Sequence, residues 1–222
     1  MPEGLEALRG ECLRISTVVL ALGEEPFALP TRLPAWNVKQ LLGHLYRGVD
    51  RLNAGLDALP PAEADADSVS YWRRFDSQAG AAGVAERGIE VAARFETGHE
   101  LAEAWDEMWR GVVQRVSLQD GSRRIVTFQP ILTLDEYVKT RVLEVTVHGM
   151  DLAVALGRHV WATTPALDVT SAILAALLGT RPPRGLDWDD VAFIEKGTGR
   201  RPLDARDREM LGAMADRFPL LS

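Results

Sequence analysis

The sequence predicts a mainly α fold, a helical bundle carrying a small C-terminal α(+β) appendage. Three observations predict it. Four long stretches repeat apolar side chains at the helical spacing of i, i+3, i+4 and i+7. Caps, glycines and prolines bound those stretches where helices start and stop. Of the 222 residues, 46% are hydrophobic and 26% charged, an ordinary globular balance at a length that buries a core without staples. The expected division is a bundle over residues 1–160 with a helical extension, 161–222, packed on it.

The first helix is expected over residues 5–22, where Leu5, Leu8, Cys12, Ile15, Val18, Val19 and Leu22 share a face and Gly23 stops it. Pro26, Pro30 and Pro34 mark residues 24–36 as a connector, and Asn37 caps a second helix over 38–59. Its apolar face runs through Val38, Leu41, Leu42, Leu45, Val49, Leu52 and Leu56, and Pro60 and Pro61 end it. Residues 62–70 are polar and acidic, a surface loop. Residues 71–96 read as a helix interrupted by Gly80, Gly83 and Gly88. Residues 101–118 read as a cleaner one through Leu101, Trp105, Met108, Val112, Val113 and Val116. Asp120-Gly121 signals a turn, and 124–129 a short strand, because Ile125, Val126, Thr127 and Phe128 favour extended backbone. Thr133 and Glu136 form a capping-box pattern ahead of a helix over 134–156, which Gly157 terminates. A helix over 166–178 follows Pro165. After a Pro/Gly linker at 181–187, residues 191–194 read as a short strand, 197–200 as a turn and 203–218 as a last short helix.

The formal net charge of -7 opposes a broad nucleic-acid or anionic-membrane surface, which needs clustered Lys and Arg. It leaves room for a small anion held by a local arginine. The single cysteine, Cys12, excludes an internal disulfide and reads as a core residue, which suits a reducing, cytoplasmic setting. Residues 1–10 lack the basic and apolar regions of a signal peptide, and the longest apolar run, 172–179, falls far short of the roughly 20 residues that span a bilayer.

The helix over 134–156 carries the chemistry. Beside its apolar stripe (Leu134, Val138, Val142, Val145, Leu152, Leu156) runs a polar one of Tyr137, Arg141, Glu144, His148 and Asp151. Glu144 and His148, four apart, share a face at the edge of the buried side, where an unpaired carboxylate is costly. Either Arg141 satisfies Glu144 by a salt bridge or a divalent metal does, with His148 adding an imidazole nitrogen. His44 borders the apolar face of the second helix, and Gly48 and Gly55 lie on the same edge, giving room for another helix or a ligand. Two histidines and one carboxylate are a common protein set for catalytic zinc. The other histidines, His99 and His159, read as surface residues.

Leu33-Pro34-Ala35-Trp36-Asn37-Val38, followed by Leu41-Leu42-Gly43-His44-Leu45, resembles the N-terminal signature of the mycothiol-dependent maleylpyruvate isomerase family, part of the wider DinB-like four-helix-bundle superfamily. Arg141-x-x-Glu144-x-x-x-His148-Gly149-x-Asp151-Leu152-Ala153 resembles the second signature, and Trp188-Asp189 with Gly197-Thr198-Gly199-Arg200-Arg201-Pro202-Leu203 resembles the tails of actinobacterial members. The resemblance implies an up-down-down-up bundle with a metal, zinc or else nickel, iron or cobalt, on His44, Glu144 and His148. Asp151 has the spacing of a group that orients an imidazole. Trp36 is expected at the site mouth, and Tyr137 and Arg141 as pocket residues. The family's arginine after the second helix falls on Arg73 or Arg74, expected to hold substrate carboxylates.

The resemblance further implies an external low-molecular-weight thiol, mycothiol or a comparable one, because Cys12 belongs to a packed face. Its thiolate would add to the cis double bond of a substrate such as maleylpyruvate. Rotation about the resulting single bond and elimination of the thiolate would give the trans isomer. Transfer of the thiol to an electrophile uses the same site. Two other classes stay open: a metal hydrolase using bound hydroxide, and a non-catalytic, metal-stabilised binding bundle. Either a monomer or a homodimer is compatible with the chain.

Overall fold

The computed structural model describes residues 2–58, 63–74, 77–127 and 130–221. Four helices make the bundle: α1 (Leu5–Val19), α2 (Val38–Asp57), α5 (Gly98–Ser117) and α6 (Leu134–Ala155). α1 and α2 each pack on both α5 and α6. Leu8, Cys12, Ile15, Leu41, Leu45, Leu52, Trp105, Val112, Val138 and Val142 meet between them, all buried. Local chemistry fixes the helix starts. Asn37 caps α2 and Thr97 caps α5, each in a full capping box with Gln40 or Glu100. Gly157, at φ +61°, ends α6.

The remaining elements cover the bundle. α3 (Ser68–Arg74) lies on α6, and α4 (Ser77–Ala92) lies along α2. A Cβ at Gly43 would come within 2.7 Å of the Gly88 carbonyl oxygen, so only glycine lets α4 approach α2 this closely. α5 and α6 are joined by a hairpin of β1 (Arg124–Val126) and β2 (Ile131–Thr133), antiparallel with Ile125 opposite Leu132. The tail adds α7 (Thr164–Leu178), α8 (Asp190–Gly197) and α9 (Ala205–Leu211).

The tail has a physical reason to dock. Besides its bundle face, α6 carries a second apolar face of Leu143, Val147 and Met150, which packs with Trp72, Ile173, Leu174, Leu177, Phe193 and Ile194. A helix apolar on two sides must be covered on both.

Several expectations are corrected. Residues 191–194 are helical, not a strand: Asp189 accepts from the Ala192 amide and starts α8, and the short apolar run carries no period of its own. The helix expected over 71–96 is two, and the expected loop at 62–70 already turns helical at Ser68, where Asp67 accepts from the Ser70 amide at 2.7 Å. Thr133 accepts from the Glu136 amide, but the Glu136 carboxylate bonds Ser68 (2.6 Å) and Lys139, leaving half a capping box. The last helix ends at Leu211 and continues as a 3-10 turn, Gly212–Arg217. Leu59, Pro60 and Pro61 at the expected end of the second helix, Ala62 of the expected loop, Phe75 and Asp76 of the helix expected over 71–96, and Phe128 and Gln129 of the expected strand lie outside the described residues.

Glu11 of α1 is fully buried; its Oε1 accepts from the Thr163 amide at 2.5 Å, and its Oε2 has no hydrogen-bond partner among the described residues. Burial pushes the carboxyl above its ordinary range, and hydrogen bonds from Thr163 offset this only in part. The folded form therefore holds its proton at pH values where the unfolded chain has lost it. That contribution is complete below the unfolded carboxylate range and is lost as pH rises through the raised value. Glu11→Gln keeps the acceptor without the charge. It is expected to raise Tm at about pH 7 and to leave it unchanged near pH 4; equal melting curves at both pH values would refute the assignment.

Candidate metal centre and its cavity

The polar stripe of α6 lies between its two apolar faces and looks toward α2. His44 of α2 is buried, stacked on the Trp36 ring at 4.6 Å and 26°. His148 meets His44 edge-on, with ring centroids 4.8 Å apart at 84°. Burial, reinforced by the neighbouring His148, pushes the His44 imidazole down to about 3. It is therefore neutral at physiological pH, and its buried Nδ1 has no hydrogen-bond partner among the described residues.

His148 places Nδ1 2.9 Å from Asp151 Oδ2. Burial alone would raise the Asp151 carboxyl, but the hydrogen bond from His148 and the charge of Arg200 outweigh it and hold the group well below the usual carboxylate range. An ionised carboxylate only accepts, so Nδ1 carries a proton, and in the neutral ring the lone pair is then on Nε2.

Glu144 is the third side chain. Its Oε2 accepts from Arg141 Nη1 at 2.5 Å. Burial would raise its carboxyl, but Arg141, His44 and His148 together lower it. Gly48 makes room for that carboxylate, since a Cβ there would lie 3.1 Å from Glu144 Oε2. Gly55, on the same edge of α2, instead admits the hairpin: its Cβ would stand 2.5 Å from Ile125 Cγ2.

His44, Glu144 and His148 share one cavity of about 700 Å³. Its walls are mainly apolar: Leu33, Trp36, Trp72, Val84, Leu143 and Val147, closed on the tail side by Leu177, Leu220 and Leu221. Among the described lining residues the cations are Arg73, Arg200 and Arg217, and the acid is Glu144. The site is locally positive on a chain of net charge -7.

Trp36 lines the cavity and fixes its indole by donating to the Ala85 carbonyl at 3.1 Å. Arg73 lines it too, with Nη2 donating to the Ala176 carbonyl at 3.0 Å. Arg74 does not; it turns outward to Asp65 at 3.3 Å. Tyr137 and Arg141 lie behind the cavity rather than along it. Tyr137 is buried under the Arg141 guanidinium, 4.9 Å from its ring centroid, and Arg141 also donates to the Tyr71 hydroxyl at 3.2 Å. His99 and His159 are exposed.

Among the described residues, no three His, Cys, Asp or Glu side chains stand ready-made to hold a metal ion. Glu144 Oε2 is engaged by Arg141 instead. The donor chemistry nevertheless fits: a neutral imidazole with an orphaned buried nitrogen, a second imidazole whose Nδ1 is held by Asp151, and a carboxylate on the same cavity. Closing the set requires Glu144 to share its carboxylate with Arg141 or give up that bond.

Periodicity does not reveal Arg32 or Arg200. Both pair with Asp151, across 119 and 49 residues of sequence. The signal available was indirect: a buried aspartate needs cations, and any of 25 Lys and Arg could supply them.

The fold and site together define a four-helix bundle in which two imidazoles and a carboxylate line one mainly apolar, arginine-fringed cavity. The family model of the mycothiol maleylpyruvate isomerase N-terminal domain matches residues 8–153, and the chain belongs to that family. Comparison with curated proteins and with solved structures gave no significant match. No helix among the described residues is long and apolar enough to cross a membrane.

Proposed function

We propose that this protein is a metal-dependent enzyme that uses a low-molecular-weight thiol, mycothiol or one like it, to transfer the thiol to, or isomerise, a small electrophile. The observation that carries the reading is the pair of imidazoles, His44 and His148, in edge-on contact beside Glu144 on one cavity. A divalent ion on these three, zinc first among the candidates, would supply the Lewis acidity that favours the thiolate over the thiol at neutral pH.

The chain's own residues supply the rest. His44 stays neutral because it is desolvated, and Asp151 holds His148 in one tautomer. Trp36, Leu143 and Val147 exclude water from the reacting groups. Arg73 at the cavity offers a cation to a substrate carboxylate. The thiol comes from outside, because Cys12 is fully buried in the core and burial pushes its own thiol well above the ordinary range.

A structural role for the polar stripe is the second reading, and the Arg141–Glu144 pair favours it. Elemental analysis of the purified protein, followed by titration of its cobalt form with mycothiol, separates the two. Stoichiometric metal and a visible-spectrum change on adding thiol are expected. Metal-free protein that takes up no cobalt refutes the enzyme reading; bound cobalt blind to thiol refutes the thiol.

A further inference from the structure

Asp151 is fully buried, and three separate segments meet on it. Its own helix brings His148 Nδ1 to Oδ2 at 2.9 Å. The connector before α2 brings Arg32, whose Nε lies 2.5 Å from Oδ1. The turn after α8 brings Arg200, with Nε 3.3 Å from Oδ1 and Nη2 3.1 Å from Oδ2. These contacts occupy the roughly four acceptor sites of a carboxylate. The arginines are themselves held, Arg32 by Glu195 of α8 at 2.9 Å and Arg200 by the Thr198 carbonyl at 2.8 Å. Arg200 and Glu195 lie beyond the matched residues 8–153.

We propose that Arg200 and Arg32 are positioning residues that act through Asp151 on His148, so that the tail sets the ring orientation and tautomer of an imidazole in the bundle. Two cations fix the carboxylate plane. The fixed plane leaves Oδ2 aimed at Nδ1, and Nδ1–H leaves Nε2 free. Removing the arginine fork lets the carboxylate rotate, and the ring can then exchange its proton between Nδ1 and Nε2. The metal consequence rests on the function proposed above; the tautomer does not.

The test reads both. Ring nitrogen shifts of His148 are recorded by NMR on metal-free protein at a pH where its imidazole is neutral, and cobalt affinity is measured by competition. The variants are Arg200→Ala, Arg200→Gln and Arg32→Ala, with Ser171→Ala as control. Wild type is expected to show the Nδ1–H form. Arg200→Ala is expected to mix the tautomers and weaken cobalt binding about 10- to 100-fold, the usual effect of losing a partner behind a metal-binding histidine. Arg200→Gln, which fills most of the volume and keeps one donor, should fall between, and it carries the test if the alanine variant does not fold. Ser171→Ala removes the bond from Ser171 to Asp190 of α8 at 2.8 Å; it loosens α8 without touching Asp151, either arginine or Glu195, and should leave the tautomer alone. An unchanged tautomer in all the arginine variants overturns the proposal, as does an equal disturbance by Ser171→Ala, which would mean general loosening. If wild type takes up no cobalt, the metal reading fails while the tautomer still decides this one.

Discussion

His148→Ala is expected to abolish stoichiometric metal uptake while the bundle stays folded. The first half follows from donor count: two imidazoles and one carboxylate are the minimum common protein set for an open zinc site, and two donors hold a metal far more weakly. The second half follows from position. His148 lies at the cavity edge, not in either apolar cluster, and alanine is the best helix former for the middle of α6. Asp151 loses one hydrogen bond but keeps both arginines, so the loss is on the order of 1 kcal/mol. Elemental analysis with a thermal melt checks both halves, and His159→Ala, at an exposed position, serves as control. Full metal content in His148→Ala would remove His148 from the ligand set.

Much of the bundle was legible because its information is local. Cap residues and apolar spacing place α1, α2, α5 and α6 to within a few residues, and Glu144 and His148 follow from one helical turn. Legibility fails where a neighbour decides. The run 191–194 is too short to carry a period, and its helix is fixed by the Asp189 cap and by burial of Phe193 and Ile194 against α7. Arg73 and Arg74 are adjacent and equivalent in sequence; they differ only because α3 docks on α7, turning one to the Ala176 carbonyl and the other to Asp65. Likewise the apolar residues Leu143 and Val147 show a second face on α6, but which segment covers it is settled only by the packed tail.

Arg141→Met is expected to be the most destabilising single change at the site in metal-free protein. The guanidinium is 3% exposed, sits over the Tyr137 ring and is bonded to Glu144, Tyr71 and Thr140. Methionine restores apolar volume but leaves the Glu144 charge without its cation. Breaking one half of a buried pair costs about 3–5 kcal/mol. The lower end applies, because the Glu144 side chain keeps 19% of its surface on the cavity. Arg141→Met with Glu144→Gln should recover most of the loss, since replacing both members of such a pair is close to neutral. Metal then discriminates between the two roles of Glu144. If the carboxylate is a ligand, a divalent ion compensates it in place of Arg141. Saturating zinc or cobalt should then raise the urea midpoint of Arg141→Met more than that of wild type, where Arg141 competes for Glu144. An identical metal-induced shift in the two proteins would make Glu144 a partner of Arg141 alone, and the metal would rest on His44 and His148 without it.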